Sequence, residues 1–174
     1  MGGWGNPPVI GDMNKDGVPD IVAGPYYYLG PDYSVAREIY MAKTLDASTQ
    51  YFNGVQFAHD FTGDGWPDVI NSLFTQPTIL YVNPRGESRR WESFTVTDAT
   101  SSEIALLKDT DGDGTPEYLF KDSNNQIVAA TPEPASPTGL WVKKPLTERG
   151  PWTNHGMGIG DVNKDGRVDL LNGY

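Results

Sequence analysis

The sequence predicts an all-β chain assembled from repeated four-stranded antiparallel units, and three observations carry that expectation. An acidic, glycine-bearing stretch of ten residues is written four times, as GDMNKDGVPD (11–20), HDFTGDGWPD (59–68), KDTDGDGTPE (108–117) and GDVNKDGRVD (160–169). The first aspartates of these stretches, Asp12, Asp60, Asp109 and Asp161, are 48, 49 and 52 residues apart, a period typical of repeat architectures. Short apolar segments bounded by Gly, Pro, Asn and Asp flank each copy, and no segment keeps a long i, i+3, i+4, i+7 pattern.

Taken in order, each unit reads as four strands. A partly alternating segment leads into the loop (GVQFAHDF, EIALLKD, HGMGIGD), and an apolar run follows it (DIVAG, DVINSLF, EYLF, DLLNG). Further on come TILYV (78–82) and QIVAA (126–130), then a segment led by an aromatic residue. These last segments, YMAKTL (40–45), WESFTV (91–96) and WVKKPL (141–146), begin 18–20 residues before the next loop's first aspartate and form a second landmark in phase with the first. The best helical candidate, 34–43, reads as strand or loop. Units of this size and strand count in series have the form of β-propeller blades. The boundaries fall at about 1–48, 49–98 and 99–149, with half a blade at 150–174. Three and a half blades do not close a ring, and two copies supply only six complete ones. The expected partners therefore include the remainder of a propeller or a second chain that completes it. An unfinished sheet also exposes an edge open to pairing.

Composition narrows the function classes. The chain has 174 residues, enough for one domain with a real core, and its 20 Gly and 14 Pro imply many turns. No apolar run approaches the ~18 residues of a membrane span. With no Cys, disulfides and thiolate chemistry are excluded. No basic-plus-apolar leader opens the sequence, which fits a cytosolic or an already trimmed chain. The net charge of −10 disfavours nucleic acid and anionic membrane as partners. That charge is local: the four loops hold 13 of the 23 acidic residues, leaving 10 elsewhere against 13 Lys and Arg. Carboxylates packed so closely repel unless a cation neutralises them.

Numbered from the first aspartate, each loop offers oxygen at alternate positions. Positions 1, 3 and 5 are Asp12, Asn14, Asp16; Asp60, Thr62, Asp64; Asp109, Asp111, Asp113; and Asp161, Asn163, Asp165. Position 6 is always glycine (Gly17, Gly65, Gly114, Gly166), expected to allow a turn that a Cβ would obstruct. Position 7 (Val18, Trp66, Thr115, Arg167) varies, as suits a residue that contributes only a backbone carbonyl. Position 9 is always acidic: Asp20, Asp68, Glu117 and Asp169. Oxygen-only ligation selects Ca²⁺ or Mg²⁺ over Zn²⁺, and the flexible carboxylate-rich loop favours Ca²⁺, one ion for each of up to four loops. An EF-hand is excluded, because position 12 is Ala23, Asn71, Phe120 or Asn172 rather than Glu. The rival reading is four plain Asp/Asn/Gly turns.

Loops of the form D-x-[DNT]-x-D-G-x-x-[DE], set between strands and recurring through nearly the whole chain, resemble the FG-GAP/VCBS repeats. That resemblance implies a calcium-binding β-propeller, as in integrin α-subunit heads, some fungal lectins and many secreted bacterial proteins. It implies that each ion ties the first strand of a blade to the second. Thr62 departs from the usual Asp or Asn at position 3. Sites of this strength, ~10⁻⁴–10⁻³ M in extracellular modules, suit external calcium, so an extracellular or periplasmic home is expected. Each site held at 100–1,000 times its Kd would stabilise the fold by about 3–4 kcal/mol.

The functional expectation is a calcium-stabilised binding or scaffold module for extracellular protein or glycan. The alternative is part of a carbohydrate-active propeller enzyme, similar to sugar dehydratases or polysaccharide lyases, with a metal at the channel mouth. For that alternative the informative positions lie six residues before each loop: Asn6, Gly54, Glu103 and His155. A convergent His155–Glu103 pair would favour it; unrelated strand ends would not. His59 is read as a strand residue beside the ligand Asp60. Trp91 and Trp141 recur with the period and read as core, whereas Trp4, Trp66 and Trp152 are candidate sugar platforms. The tyrosine-rich PYYYLGPDY (25–33) reads equally as a surface or as packing. Ser34, Ser72 and Ser123 sit in no nucleophile motif, and neither G-x-S-x-G, H-E-x-x-H nor a phosphate loop occurs. No catalytic residue is expected on these grounds.

Overall fold

A computed structural model describes residues 8–41 and 54–173. Within them the chain consists of strands and turns. The strands are β1 (Val9–Gly11), β2 (Asp20–Ala23), β3 (Tyr26–Leu29), β4 (Val35–Glu38), β5 (Gly54–His59), β6 (Asp68–Leu73) and β7 (Pro77–Val82). They continue with β8 (Glu92–Ala99), β9 (Leu106–Lys108), β10 (Glu117–Lys121), β11 (Ile127–Thr131), β12 (Val142–Pro145), β13 (Met157–Gly160) and β14 (Asp169–Asn172). Three four-stranded sheets follow in chain order, β1–β4, β5–β8 and β9–β12, and β13 with β14 makes a two-stranded fourth. Every named strand pairs antiparallel with its neighbour in sequence. Of the helical candidate 34–43, residues 34–41 hold strand β4 and no helix, and 42–43 lie outside the described residues.

Side chains of a strand alternate between faces, so register decides which residues meet. The first sheet lines up Val9, Val22, Tyr27 and Arg37 on one face and Ile10, Ile21, Tyr28 and Ala36 on the other. The second repeats this with Phe57, Ile70, Leu80 and Phe94 on one face and Ala58, Val69, Tyr81 and Ser93 on the other. In the third, the rows are Leu106, Leu119, Ala129, Lys144 and Leu107, Tyr118, Ala130, Lys143.

The sheets stack by these rows. Val9, Val22 and Tyr27 of the first sheet meet Ala58, Val69, Tyr81 and Trp91 of the second, with Met13 and Ile39 between them. The second sheet's opposite face, Phe57, Ile70, Leu80 and Phe94, meets Leu107, Tyr118, Ala130 and Trp141 of the third, sealed by Phe61. A sheet enclosed on both faces needs apolar residues at successive positions. This is why β6 reads DVINSL and why all five residues of β10, EYLFK, are buried. Val22, Val69, Ile70, Leu80 and Leu119 have no exposure at all, and burying each is worth about 1.5–3 kcal/mol. β1 lies against β5, and β9 against β13.

Trp91 and Trp141 do recur as inter-sheet core. Each precedes its outer strand and donates its backbone N–H to the sheet before it, Trp91 to Ile39 O (2.9 Å) and Trp141 to Val96 O (2.8 Å). Tyr40, their expected counterpart, is not one. It lies two residues past β4, and the register places Ser34 where the tryptophans stand. An aromatic five residues before an aliphatic reads alike on either side of a short strand, so spacing alone misplaced this landmark. Tyr40 instead stacks on Tyr81 (4.4 Å between centroids) and accepts from Asn71 Nδ2. Residues 42–45 lie outside the described residues.

Two buried amides tie the first two sheets through polar contacts. Gln56 grips Gly24 with both amide atoms, Nε2 to the carbonyl (2.8 Å) and Oε1 from the N–H (2.9 Å). Asn83 donates Nδ2 to Met13 O and to Pro67 O, each at 2.9 Å, and accepts Gly86 N–H at 3.0 Å. Its side chain thus joins the loops that open the two sheets. Asn83→Ala leaves three backbone groups without these bonds, each worth about 1 kcal/mol, so a loss of about 3 kcal/mol is expected in chemical denaturation.

Candidate metal centre

Each repeated acidic loop forms the turn between the first two strands of its sheet: β1–β2, β5–β6, β9–β10 and β13–β14. The same hydrogen bonds shape all four. The position 1 carboxylate receives the position 6 N–H at 2.9, 2.7, 2.9 and 2.9 Å, at Asp12, Asp60, Asp109 and Asp161 in turn. Its other oxygen takes the N–H of Asp16, Asp64 and Asp165 at 3.1 Å each, and that of Gly112 at 2.7 Å in the third loop. The position 5 carboxylate receives the position 7 N–H at 2.8, 2.9, 2.7 and 2.9 Å, from Val18, Trp66, Thr115 and Arg167. Asn14 and Asn163 bond both ways with Asp16 and Asp165, amide to carboxylate and backbone N–H to amide oxygen.

Two residues per loop adopt the left-handed backbone. Position 6 has φ of 86°, 87°, 90° and 83° at Gly17, Gly65, Gly114 and Gly166. A Cβ would meet nothing within 4 Å at Gly17, Gly114 or Gly166, so the glycine serves the backbone angle and not a steric gap. This corrects the expected obstruction. Position 4 shares the conformation, at Lys15 (58°), Gly63 (72°), Gly112 (83°) and Lys164 (62°). Only the glycines at position 4, Gly63 and Gly112, signal this second twist in the sequence; Lys15 and Lys164 do not. Gly114→Ala puts a Cβ into a left-handed residue at about 1–2 kcal/mol, a loss to be read as a lower unfolding midpoint without added metal.

Position 9 differs among the loops, and the difference is in the third strand. Asp20 and Asp68 are fully buried with both oxygens engaged. Asp20 takes Met13 N–H (2.8 Å) and Gly30 N–H (3.0 Å); Asp68 takes Thr62 N–H (3.0 Å), the Thr62 hydroxyl (2.9 Å) and Asn83 N–H (2.9 Å). Gly30 and Asn83 each stand two residues past the residue that pairs with Ile21 or Val69. The corresponding residue in the third sheet is Pro132, which has no N–H to give. There Glu117 replaces Asp, and its Oε2 accepts the Thr110 N–H (2.7 Å) and hydroxyl. Asp169, half-buried, receives the Val162 N–H (2.9 Å).

Among the described residues, one group brings three or more acidic ligand atoms within 4.8 Å of one another: Asp109, Asp111, Asp113 and Glu117. In the other loops the acids at positions 1, 5 and 9 do not converge so closely. Thr62 is spent as a donor to Asp68. Three carboxylates of an exposed turn and the buried Glu117 at the start of β10, with oxygen as the only donor element, fit a hard divalent cation. The Gly112 and Gly114 N–H groups hold the Asp109 carboxyl below its usual range, keeping it ionised.

Burial pushes the Asp68 carboxyl up to about 6, against the hydrogen bonds from Asn83 and Thr62 and with the help of the neighbouring Asp64 charge. A carboxyl raised in the folded state stabilises it below the unfolded value near 3.8, and this contribution fades as pH rises through about 6. In metal-stripped buffer, Asp68 should therefore remove about 3 kcal/mol of stability between pH 4 and 7. Asp68→Asn should flatten that part of the profile measured by urea unfolding.

The other candidates divide. His155 Nδ1 lies 3.0 Å from Glu103 Oε2, so this pair does converge, with His155 largely exposed. Its surroundings include Asn154, whose carbonyl accepts the Glu103 N–H (3.2 Å) and whose side chain accepts from Lys121 Nζ. Burial lowers the Lys121 pKa, and its ammonium also donates to Trp152 O (3.0 Å). Sequence reasoning missed Lys121, because nothing in EYLFK marks its lysine as inward-facing. Gly54 is the buried first residue of β5, while Asn6 and Trp4 lie outside the described residues. Trp66 is no open platform, since Lys15 Nζ sits 5.1 Å from its ring centroid and the Gly86 position is packed against its ring. Trp152 donates Nε1 to Glu148 O (2.8 Å). His59 pairs with Asp68 across β5–β6 and packs edge-on against Phe61. In the tyrosine segment Tyr27 is core and Tyr33 exposed; Ser34 donates its N–H and hydroxyl to the Asp32 carboxylate, which closes the turn there. No protein-family model matches the chain, and no curated protein matches it. Among the described residues, no helix is long and apolar enough to cross a membrane.

Proposed function

We propose that the chain is a calcium-stabilised piece of a β-propeller of the FG-GAP/VCBS type, acting outside the cell as a binding or scaffold module for protein or glycan. The observation that carries this reading is the third loop, where Asp109, Asp111, Asp113 and Glu117 converge. The shared hydrogen-bond scaffold of the other three loops supports extending it to them. In each, the position 1 carboxylate, held by the position 6 N–H, lies with the position 5 carboxylate at an exposed turn, where a cation would relieve their mutual repulsion. The stacked four-stranded meanders are the form that blades take. Millimolar-range affinity for such loops argues for external calcium and hence for secretion.

Thermal unfolding in excess chelator, then with Ca²⁺ or Mg²⁺ restored, tests the reading. One loop at 100 times its Kd adds about 2.7 kcal/mol, so a midpoint rise of about 5–10 °C with Ca²⁺ is expected, and little with Mg²⁺. Glu117→Gln and Asp113→Asn should each remove a large share of the rise. No rise with either ion would reduce the loops to turns and sink the proposal.

The His155–Glu103 contact favours a second reading, in which the chain is part of a carbohydrate-active enzyme with a metal near those residues. It predicts that stoichiometric Mn²⁺ broadens the His155 imidazole signals in NMR and that Glu103→Gln abolishes the effect. Broadening confined to the acidic loops would dismiss it.

A further inference from the structure

One core position is filled differently at the two seams between the four-stranded sheets. In the row that the second sheet turns to the third, the outer strand contributes Phe94, which packs in the core between them. In the row that the first sheet turns to the second, the same position on β4 is Arg37, paired with Tyr27 across β3–β4. A half-buried guanidinium needs acceptors. Among the described residues, Arg37 donates to the Ser88 hydroxyl oxygen and forms no ion pair with a carboxylate.

A groove of about 180 Å³ opens at this seam, between Tyr27 and Arg37 of the first sheet and the segment Ser88, Arg89, Arg90 that leads into β8. Arg90 donates Nε to Glu38 Oε2 (2.7 Å) and Arg89 donates Nε to Glu87 Oε2 (2.9 Å). Neither arginine makes a further hydrogen bond among the described residues, so terminal N–H groups of both remain for a ligand. Three guanidiniums against Glu38 and Glu87 leave the groove with one positive charge, in a chain whose net charge is −10.

The segment gives up a bond to take this shape. Trp141 and Trp152 donate Nε1 to the carbonyl four residues earlier, Pro137 O (3.0 Å) and Glu148 O (2.8 Å). For Trp91 that carbonyl is Glu87 O, which instead accepts the Arg89 N–H (2.9 Å). The Trp91 indole N–H is thereby buried without a partner among the described residues. Such a donor is rare in a native fold and calls for a reason. Here the turn that leaves it so is the one that sets Ser88 and Arg89 beside Arg37. The Trp91 ring lies against Tyr27, 5.8 Å between centroids, so the indole adjoins the groove wall.

We propose that this groove binds a tetrahedral oxyanion, the sulfate of a sulfate monoester, with Arg37 as its main ligand and Ser88, Arg89 and Arg90 completing the set. Guanidinium forks match such oxygens two at a time. Three guanidiniums and a hydroxyl offer more donors than the about four lone-pair sites of one carboxylate accept. A sulfate monoester carries a single negative charge, which balances the groove's excess. A phosphate monoester carries about −1.5 to −2, and the surplus would face Glu38 and Glu87. The site is separate from the acidic loops and does not depend on cation binding there.

Titration of the chain with methyl sulfate, followed by proton–nitrogen NMR, tests this. Saturable shifts are expected at the Arg37 Nε–H and the Trp91 indole N–H. Arg37→Gln should weaken binding about tenfold or more, the loss of one charge-assisted hydrogen bond. Ser88→Ala, at an exposed position, should weaken it too and keeps the test open if Arg37→Gln alters the fold. Arg85→Gln removes the same charge outside the groove, where Arg85 pairs with Asp64 at 3.3 Å, and should leave binding unchanged. Shifts that do not saturate, or that fall equally with Arg85→Gln, reduce the effect to general charge screening and overturn the proposal. Acetate binding as tightly as methyl sulfate overturns the tetrahedral preference, and methyl phosphate binding more tightly overturns the assignment to sulfate.

Discussion

The fold depends on backbone N–H groups captured by carboxylates at four hairpin turns. A tight loop of eight residues between short strands leaves amides that no ladder can satisfy, and buried or crowded amides without partners are costly. Asp12, Asp60, Asp109 and Asp161 each take two of them, and the position 5 acids take a third. The turn is thereby built by groups that repel one another. That opposition links shape to charge: the residues that fold the loop also concentrate negative charge at its surface. A bound cation would act on both at once, lowering the repulsion without displacing the amide bonds, since each carboxylate oxygen has a second lone pair.

The position 9 acid carries this linkage inward. Asp20 and Asp68 hold the loop on one oxygen and the end of the third strand on the other. Three successive strands of a sheet are therefore pinned at one carboxylate. Asn83 then extends the connection to the neighbouring sheet through Met13 O. Loop geometry, sheet registry and sheet stacking are not separate stabilities here. Removing the Asp68 carboxyl group or the Asn83 amide disturbs all three.

Much of the fold was legible because its signals are local. Alternate acids with glycine at position 6 mark the turn, and apolar runs after them mark strands buried on both faces. Asx-type capping needs Asp or Asn at fixed offsets, so the loop scaffold could be read from spacing. What spacing could not supply was the third dimension. Tyr40 and Trp91 share a phase in sequence and differ in place, because short strands shift an aromatic across a turn without changing its offset. The reason for glycine at position 6 also needed the structure, which gives a backbone angle where a steric conflict was expected. Lys121 and the His155–Glu103 approach depend on how the third sheet meets the segment before β13, a contact between residues 31 or more apart in sequence.

One proline distinguishes the four loops chemically. In the first two sheets the residue after the third strand has an N–H, an aspartate reaches it, and both carboxylate oxygens are occupied. Pro132 withdraws that donor in the third sheet. An aspartate there would leave one oxygen buried without its bond, a desolvation cost of about 1–3 kcal/mol. Glutamate, longer by one methylene, keeps the bond to Thr110 and brings its carboxylate within 4.8 Å of Asp109, Asp111 and Asp113. The replacement of Asp by Glu at Glu117 and of an N–H residue by Pro132 are thus two halves of one change. Together they turn a carboxylate that fastens strands into one that gathers with its neighbours, and the third loop differs from the others in kind as well as in degree.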